Sequence, residues 1–335
     1  MNVHLQPISF KKYSLLLIYL FFAMAIIAWG MEFYFEKLYG NLTRMGRFSE
    51  RDFGWQLQRP EIPDELLKDY PIAEADILII GDSFSESRVW QSKLIANGLK
   101  VSTTGWGNFG TWQPLKTAEA MPHDLGIVIR KAGFKGRYII IESVEELFQK
   151  RMKSLAKESH PIIKHSYAID KSFYSYPVTH RETISLNKLN GADWGVKALY
   201  NKIKLSLHLP EKYLKSGAVQ VSIFDGCQVF SHRLCNYALF VDEDFKKETF
   251  NSIDNILTIN KSLQQVGIQS IWVVVPDKST VYLGYGALNQ YPYQNIWHTF
   301  AQYPELVAPD LGAIFIQQSH IIKDFYMPND THLST

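Results

Sequence analysis

The chain has 335 residues, 46% of them hydrophobic and 20% charged. That length fits one or two domains, and the composition excludes a disordered or fibrous chain. With 35 basic against 33 acidic residues the net charge is +2, which gives no electrostatic case for nucleic acid; two cysteines are too few for a disulfide scaffold or a four-cysteine zinc site.

The first element is a charge-free stretch from Tyr13 to Gly30, YSLLLIYLFFAMAIIAWG. About 20 apolar residues in a helix span a bilayer core of about 30 Å. Lys11 and Lys12 precede it, and Trp29, Phe33, Tyr34 and Phe35 follow as an interfacial belt. Ala23-Met24-Ala25 offers a signal-peptide cleavage site, but apolar sequence continues beyond it. The reading adopted is an uncleaved anchor with a short cytoplasmic tail over residues 1–35. The remainder is expected outside the cytoplasm.

Residues 36–75 read as a polar connector with Pro60, Pro63 and Pro71, and a helical turn or two at Asp64–Lys68. From residue 76 onward the pattern changes. Ala75–Gly81, Leu99–Thr103, Arg137–Glu142 and Ile271–Pro276 are short apolar runs of the kind found in parallel strands buried on both faces. Ala313–Ile316 is a fifth candidate strand. Helical spacing fills the intervals at Phe84–Asn97, in parts of Gly110–Ala132, at Val144–Lys157 and at Phe250–Val266, with Gly267 as a C-cap. Strand alternating with helix predicts an α/β domain on a mainly parallel sheet, right-handed in its crossovers. Residues of about 159–245, rich in aromatics, Ser and Lys, read as an insertion.

Ser83 lies in Gly81-Asp82-Ser83-Phe84-Ser85, directly after the first strand. Ligands bind at the carboxyl ends of strands in open α/β sheets, and amides at the start of a helix can face a developing oxyanion. Ser83 is therefore a candidate nucleophile; the alternative is a helix cap. Near the other end stands Asn329-Asp330-Thr331-His332. Asp330, two residues before His332, can fix the imidazole in one tautomer, leaving His332 to take a proton from Ser83. Alone, this is equally a surface turn.

The Gly-Asp-Ser-Phe-Ser run resembles the first block of the SGNH/GDSL esterase superfamily, and the late Asp-x-His resembles its last block. The Asp-x-His spacing is similar to the branch that O-acetylates alginate and related exopolysaccharides. Pro276-Asp277-Lys278 resembles that branch's Pro-x-Lys motif, and Glu142-Ser143-Val144-Glu145 its Glu-x-Val-Glu block. The Ser-first chain order is that of ordinary GDSL proteins. The resemblance covers about residue 76 to the end. It implies a three-layer α/β/α, flavodoxin-like domain over residues 76–335 and a Ser83–His332–Asp330 triad. It also implies an oxyanion hole; the candidates are the Ser83 and Gly107 amides and the Asn108 side chain, which could equally cap a helix. No cofactor or metal is expected. The expected partners are a polysaccharide acceptor and a multi-pass membrane acyltransferase that delivers the acetyl donor. The expected place is a bacterial inner membrane, single-pass, with the domain in the periplasm. An acetylesterase and an inactive glycan-binding scaffold are the alternatives.

Other residues carry weaker readings. Lys278 either lies near the site or is solvated or ion-paired. Glu142 and Glu145 are read as structural, Glu145 at a helix start where acids suit the dipole. Cys227 and Cys235 either form a short disulfide in an oxidising compartment or stay as thiols. His160, His165, His180 and His232 show no metal spacing.

Overall fold

The computed structural model describes residues 10–34, 40–55, 61–106, 124–153, 190–207, 213–223, 226–246, 250–283 and 295–334. In chain order its helices and strands are α1 (Phe10–Tyr34), α2 (Asn41–Gly46), α3 (Glu50–Phe53), β1 (Ile77–Gly81), α4 (Ser83–Glu86), α5 (Gln91–Ala96), β2 (Val101–Gly105), α6 (Leu125–Lys131), β3 (Tyr138–Val144), α7 (Glu145–Lys153), α8 (Asn190–Ser206), β4 (Tyr213–Ser216), β5 (Val219–Ile223), β6 (Tyr237–Val241), α9 (Ile253–Gln265), β7 (Gln269–Val275), α10 (Lys278–Leu283), α11 (Ile296–Ala301) and α12 (Leu311–Ser319). They divide into two compact units.

The larger unit holds the parallel sheet, in the order β2-β1-β3-β7. Side chains alternate across a strand, and the two sets enter different cores. Leu78, Ile80, Ile139, Ile141, Trp272 and Val274 face helices α6, α7 and α9 through Leu125, Ile129, Phe148, Met152, Ile256 and Leu263. Ile77, Ile79, Val101 and Ile140 face the other way, against Trp90, Leu94 and Ile95. Burial on both faces is why the strands read as continuous apolar runs. Gly267, with φ of 72°, ends α9 as a left-handed cap, and β7 begins two residues later.

Two expectations are corrected. Ala313–Ile316 is not a strand but part of α12. Asp310 caps that helix by accepting the Ala313 amide at 2.8 Å, and Phe315 and Ile316 pack toward Phe325 and Tyr326. The edge beyond β7 carries a single parallel bridge at Val307 instead, its carbonyl accepting Trp272 N–H at 2.8 Å. The helix expected over Phe84–Asn97 is two, α4 and α5. It breaks at Arg88, whose backbone is left-handed with φ of 57° and whose side chain reaches Asp69 at 3.5 Å and the Leu67 carbonyl at 3.3 Å.

The smaller unit gathers described residues from Met1–Gln56, Thr179–Leu239 and Pro328–Asp330. It contains α1, α2, α3 and α8. A second sheet has the order β4-β5-β6, with β4 and β5 antiparallel and β6 ending in the larger unit. Phe10–Ile27 of α1 is long and apolar enough to cross a membrane, and none of it is buried. Cys227 and Cys235 are bridged, their Cα atoms 4.7 Å apart.

Candidate active site

β1 stops at Gly81, where an added Cβ would overlap Ser85 and the Glu142 carboxylate. Asp82 leaves the strand in extended conformation and caps α4, its Oδ1 accepting Phe84 N–H at 3.2 Å. Ser83 is the first residue of α4 and is exposed. At that position its amide has no intrahelical acceptor. β1 is flanked by β2 on one side and β3 on the other, so Ser83 stands where the strand order reverses. Such switch points form the ligand crevice of open α/β sheets.

His332 Nε2 lies 2.8 Å from Ser83 Oγ, bringing together residues 249 positions apart. The imidazole is tilted 4.9 Å from the Phe84 ring. The loop that carries His332 is tied at its base. Tyr326 and Leu333 form an antiparallel bridge, Met327 N–H donates to the His332 carbonyl at 2.9 Å, and Ser334 N–H to the Phe325 carbonyl at 3.1 Å.

The segment after β7 grips this base from below. Lys278, 2% exposed, donates Nζ–H to the Met327 carbonyl at 2.8 Å. Its ammonium also lies 5.8 Å from the centre of the Phe240 ring. Tyr326 is wholly buried, its hydroxyl donating to the Pro276 carbonyl. Burial first, and then the carboxylates of Asp277 and Glu145, push that phenol well above its ordinary range. Glu145 is structural: its Oε2 accepts Asp277 N–H at 3.0 Å and the Thr280 hydroxyl at 2.7 Å.

A charged network lies under the serine turn. Asp82 Oδ2 accepts the Val144 amide at 2.7 Å and Arg151 Nη1 at 2.9 Å. The same guanidinium donates to Ser143 Oγ at 2.6 Å and lies 4.7 Å over the Trp106 ring. The Trp106 indole donates to the Glu142 carbonyl at 2.7 Å. Glu142 is buried, and its Oε2 accepts Asp82 N–H at 2.9 Å and Ser85 Oγ–H at 2.7 Å. Burial raises its carboxyl well above the ordinary range, and the Asp82 carboxylate adds to the effect. Glu142 thus favours the neutral form, and Arg151 is left to balance Asp82.

Asp330 belongs to the smaller unit. There its Oδ2 accepts Asn41 N–H at 2.7 Å, while the Asn329 carbonyl accepts Leu42 N–H at 3.1 Å. Asn329 Nδ2 donates to Glu50 Oε2 at 2.9 Å. Glu50 also accepts the Gly40 amide at 2.7 Å and the Thr43 hydroxyl. Burial raises its carboxyl above the usual carboxylate range. Ser83 and His332 are therefore brought together, and Asp330 stays two residues from His332 along the chain. Gly107 and Asn108 lie outside the described residues, as do His160, His165 and His180. His232 is buried and stacked 4.0 Å from Phe53. Among the described residues no group of three or more His, Cys, Asp or Glu could hold a metal ion.

Two residues that bear on the site, Arg151 and Tyr326, have no signal in sequence spacing, whereas Lys278 and Glu142 stand in the Pro-x-Lys and Glu-x-Val-Glu stretches. Arg151 meets Asp82 from 69 positions away. Tyr326 and Lys278 hold the His loop, and Glu142 supports the turn. Comparison of the chain with protein-family models, with curated proteins and with solved structures finds no match.

Proposed function

We propose that the chain is an SGNH-type, membrane-anchored serine O-acetyltransferase acting on an exopolysaccharide or other surface glycan. The observation that carries the reading is the 2.8 Å approach of His332 Nε2 to Ser83 Oγ at the carboxyl edge of a parallel sheet. Ser83 Oγ attacks the acetyl carbonyl of a donor ester as His332 Nε2 takes its proton. The tetrahedral oxyanion faces the Ser83 amide, with Gly107 and Asn108 as the remaining proposed donors. Collapse expels the donor alcohol, which receives the proton from His332 and leaves an acetyl-serine. A glycan hydroxyl then attacks the ester, giving its proton to His332, and Ser83 recovers that proton as the product leaves. Asp330 is the proposed orienting partner of the imidazole.

The anchor, α1, favours work at a membrane, and the Cys227–Cys235 bridge favours an oxidising compartment. Both fit a periplasmic domain on a bacterial inner membrane, supplied with acetyl groups by a multi-pass acyltransferase. The test uses the full chain in detergent with an activated acetyl ester and a panel of oligosaccharides. Transfer to sugar that is lost in Ser83→Ala and His332→Ala supports the proposal. Release of acetate to water alone, with the same dependence, identifies an acetylesterase. Glycan binding with no Ser83-dependent acyl chemistry identifies a scaffold.

A further inference from the structure

Helix α8 has two faces of opposite character. Ala198, Asn201 and Leu205 are buried. Asn201 Nδ2 donates to the Gly46 carbonyl at 2.9 Å, the Arg47 carbonyl at 3.1 Å and Ser216 Oγ at 2.9 Å. Lys202 meets Asp52 at 2.8 Å, and the Leu205 carbonyl accepts the Tyr237 hydroxyl at 2.8 Å. These bonds fix the rotation of the helix about its axis.

The opposite face is therefore outward by construction. It carries Val196, Leu199, Tyr200, Ile203 and Leu207, all large, apolar and exposed, from 41% at Leu199 to 66% at Leu207. At 100° per residue the five fall within an arc of about 100°. The row is about 16 Å long at 1.5 Å per residue. Lys197 and Lys204 border one side of the arc, the Lys204 ammonium lying 4.7 Å over the Tyr200 ring. An apolar stripe bordered by lysines is the pattern of a helix lying in a bilayer interface, where acyl chains take the stripe and anionic headgroups meet the ammonium groups.

What would cover this stripe is indicated by its neighbour. α8 packs against α1, the helix apolar enough to cross a membrane, and both belong to one unit. An apolar stripe on a helix packed against one able to cross a membrane is placed to meet lipid. We infer that the outer face of α8 lies in the membrane interface as a second, lateral contact of the smaller unit. The inference rests on α1 being an anchor, and the test separates the two.

The full chain is reconstituted in vesicles containing phosphatidylglycerol, with single nitroxide labels at Val196→Cys, Leu199→Cys or Ile203→Cys. The native cysteines are bridged and do not react. Leu17→Cys on α1 reads the anchor, and Lys93→Cys on α5 reads water. Accessibility to oxygen is compared with accessibility to a water-soluble nickel chelate. The oxygen-to-nickel ratio at 196, 199 and 203 is expected to lie several-fold above that at 93 and to approach that at 17. Nickel access at the three positions equal to that at 93, with Leu17 lipid-exposed, overturns the inference and spares the anchor. Shielding from both reagents means a protein covers the stripe and also overturns it. Nickel access at Leu17 removes the anchor and the inference together.

Discussion

The ion pair beneath the serine turn makes a quantitative prediction. Arg151 and Asp82 are 6% and 10% exposed at their side chains and meet at 2.9 Å. Replacing Arg151 by Met keeps a stem of similar length but strands the Asp82 carboxylate in a buried site beside Glu142. Removing one partner of a buried pair costs about 3–5 kcal/mol, and loss of the stack on Trp106 adds about 0.5–2 kcal/mol. At about 2–4 °C per kcal/mol for a domain of this size, the melting temperature of the larger unit should fall by at least about 6 °C. Asp82→Asn keeps one acceptor oxygen for the Val144 or Phe84 amide and removes the charge. The double variant Asp82→Asn/Arg151→Met should therefore be more stable than the sum of the single losses, by about 1–3 kcal/mol. Urea unfolding followed by circular dichroism gives all four free energies. A loss under about 1 kcal/mol in Arg151→Met, or strict additivity in the double variant, would refute the reasoning.

Further outcomes follow from the same geometry. Because the folded pKa of Glu142 is raised, its contribution to stability is complete below its unfolded value of about 4.3 and is lost as pH rises through the folded value. Wild type should lose up to about 1.4 kcal/mol per pH unit from this group over that window. Glu142→Gln keeps the shape without the titration, so its stability relative to wild type should rise with pH; a difference that is flat from about pH 5 to 9 would contradict the assignment. Cutting the Cys227–Cys235 bridge by Cys→Ser at both positions opens a loop with a sequence separation of 8. The chain-entropy estimate for so short a loop is about 2–3 kcal/mol, read by urea unfolding of the two proteins under non-reducing conditions. Lys278→Met removes the ammonium that holds the Met327 carbonyl. Acyl transfer should fall in that variant while glycan binding holds, and equal loss of both would mean general unfolding instead.

Much of the larger unit is legible in the sequence because its strands are buried on both faces. Ile77–Gly81 and Ile139–Ile141 are dominated by β-branched residues, and Gly81 closes the first run, which favours strand over helix. Ala313–Ile316 shows the limit: four apolar residues fit either element, and the choice falls to Asp310 as a cap and to packing against Phe325 and Tyr326. Arg88 interrupts a regular helical pattern through a tertiary contact with Asp69 that no local signal announces. The buried position of Lys278 is hidden for the same reason: its partner, the Met327 carbonyl, is backbone 49 residues away. The smaller unit is harder still to read, since it joins Gly46 to Asn201 and Asn41 to Asp330 across sequence separations of 155 and 289. By contrast, Ser83 and His332 each sit in a short motif, and the structure supplies what motifs lack, a distance.

The central claim is that Ser83 is a nucleophile served by His332. Intact-mass spectrometry of the full chain after brief exposure to an activated acetyl ester tests it most directly, beside Ser83→Ala and His332→Ala. The account predicts one added acetyl group in the wild type, mapped by peptide fragmentation to Ser83, absent in Ser83→Ala and strongly slowed in His332→Ala. An adduct at another residue, or equal labelling of all three proteins, would contradict it.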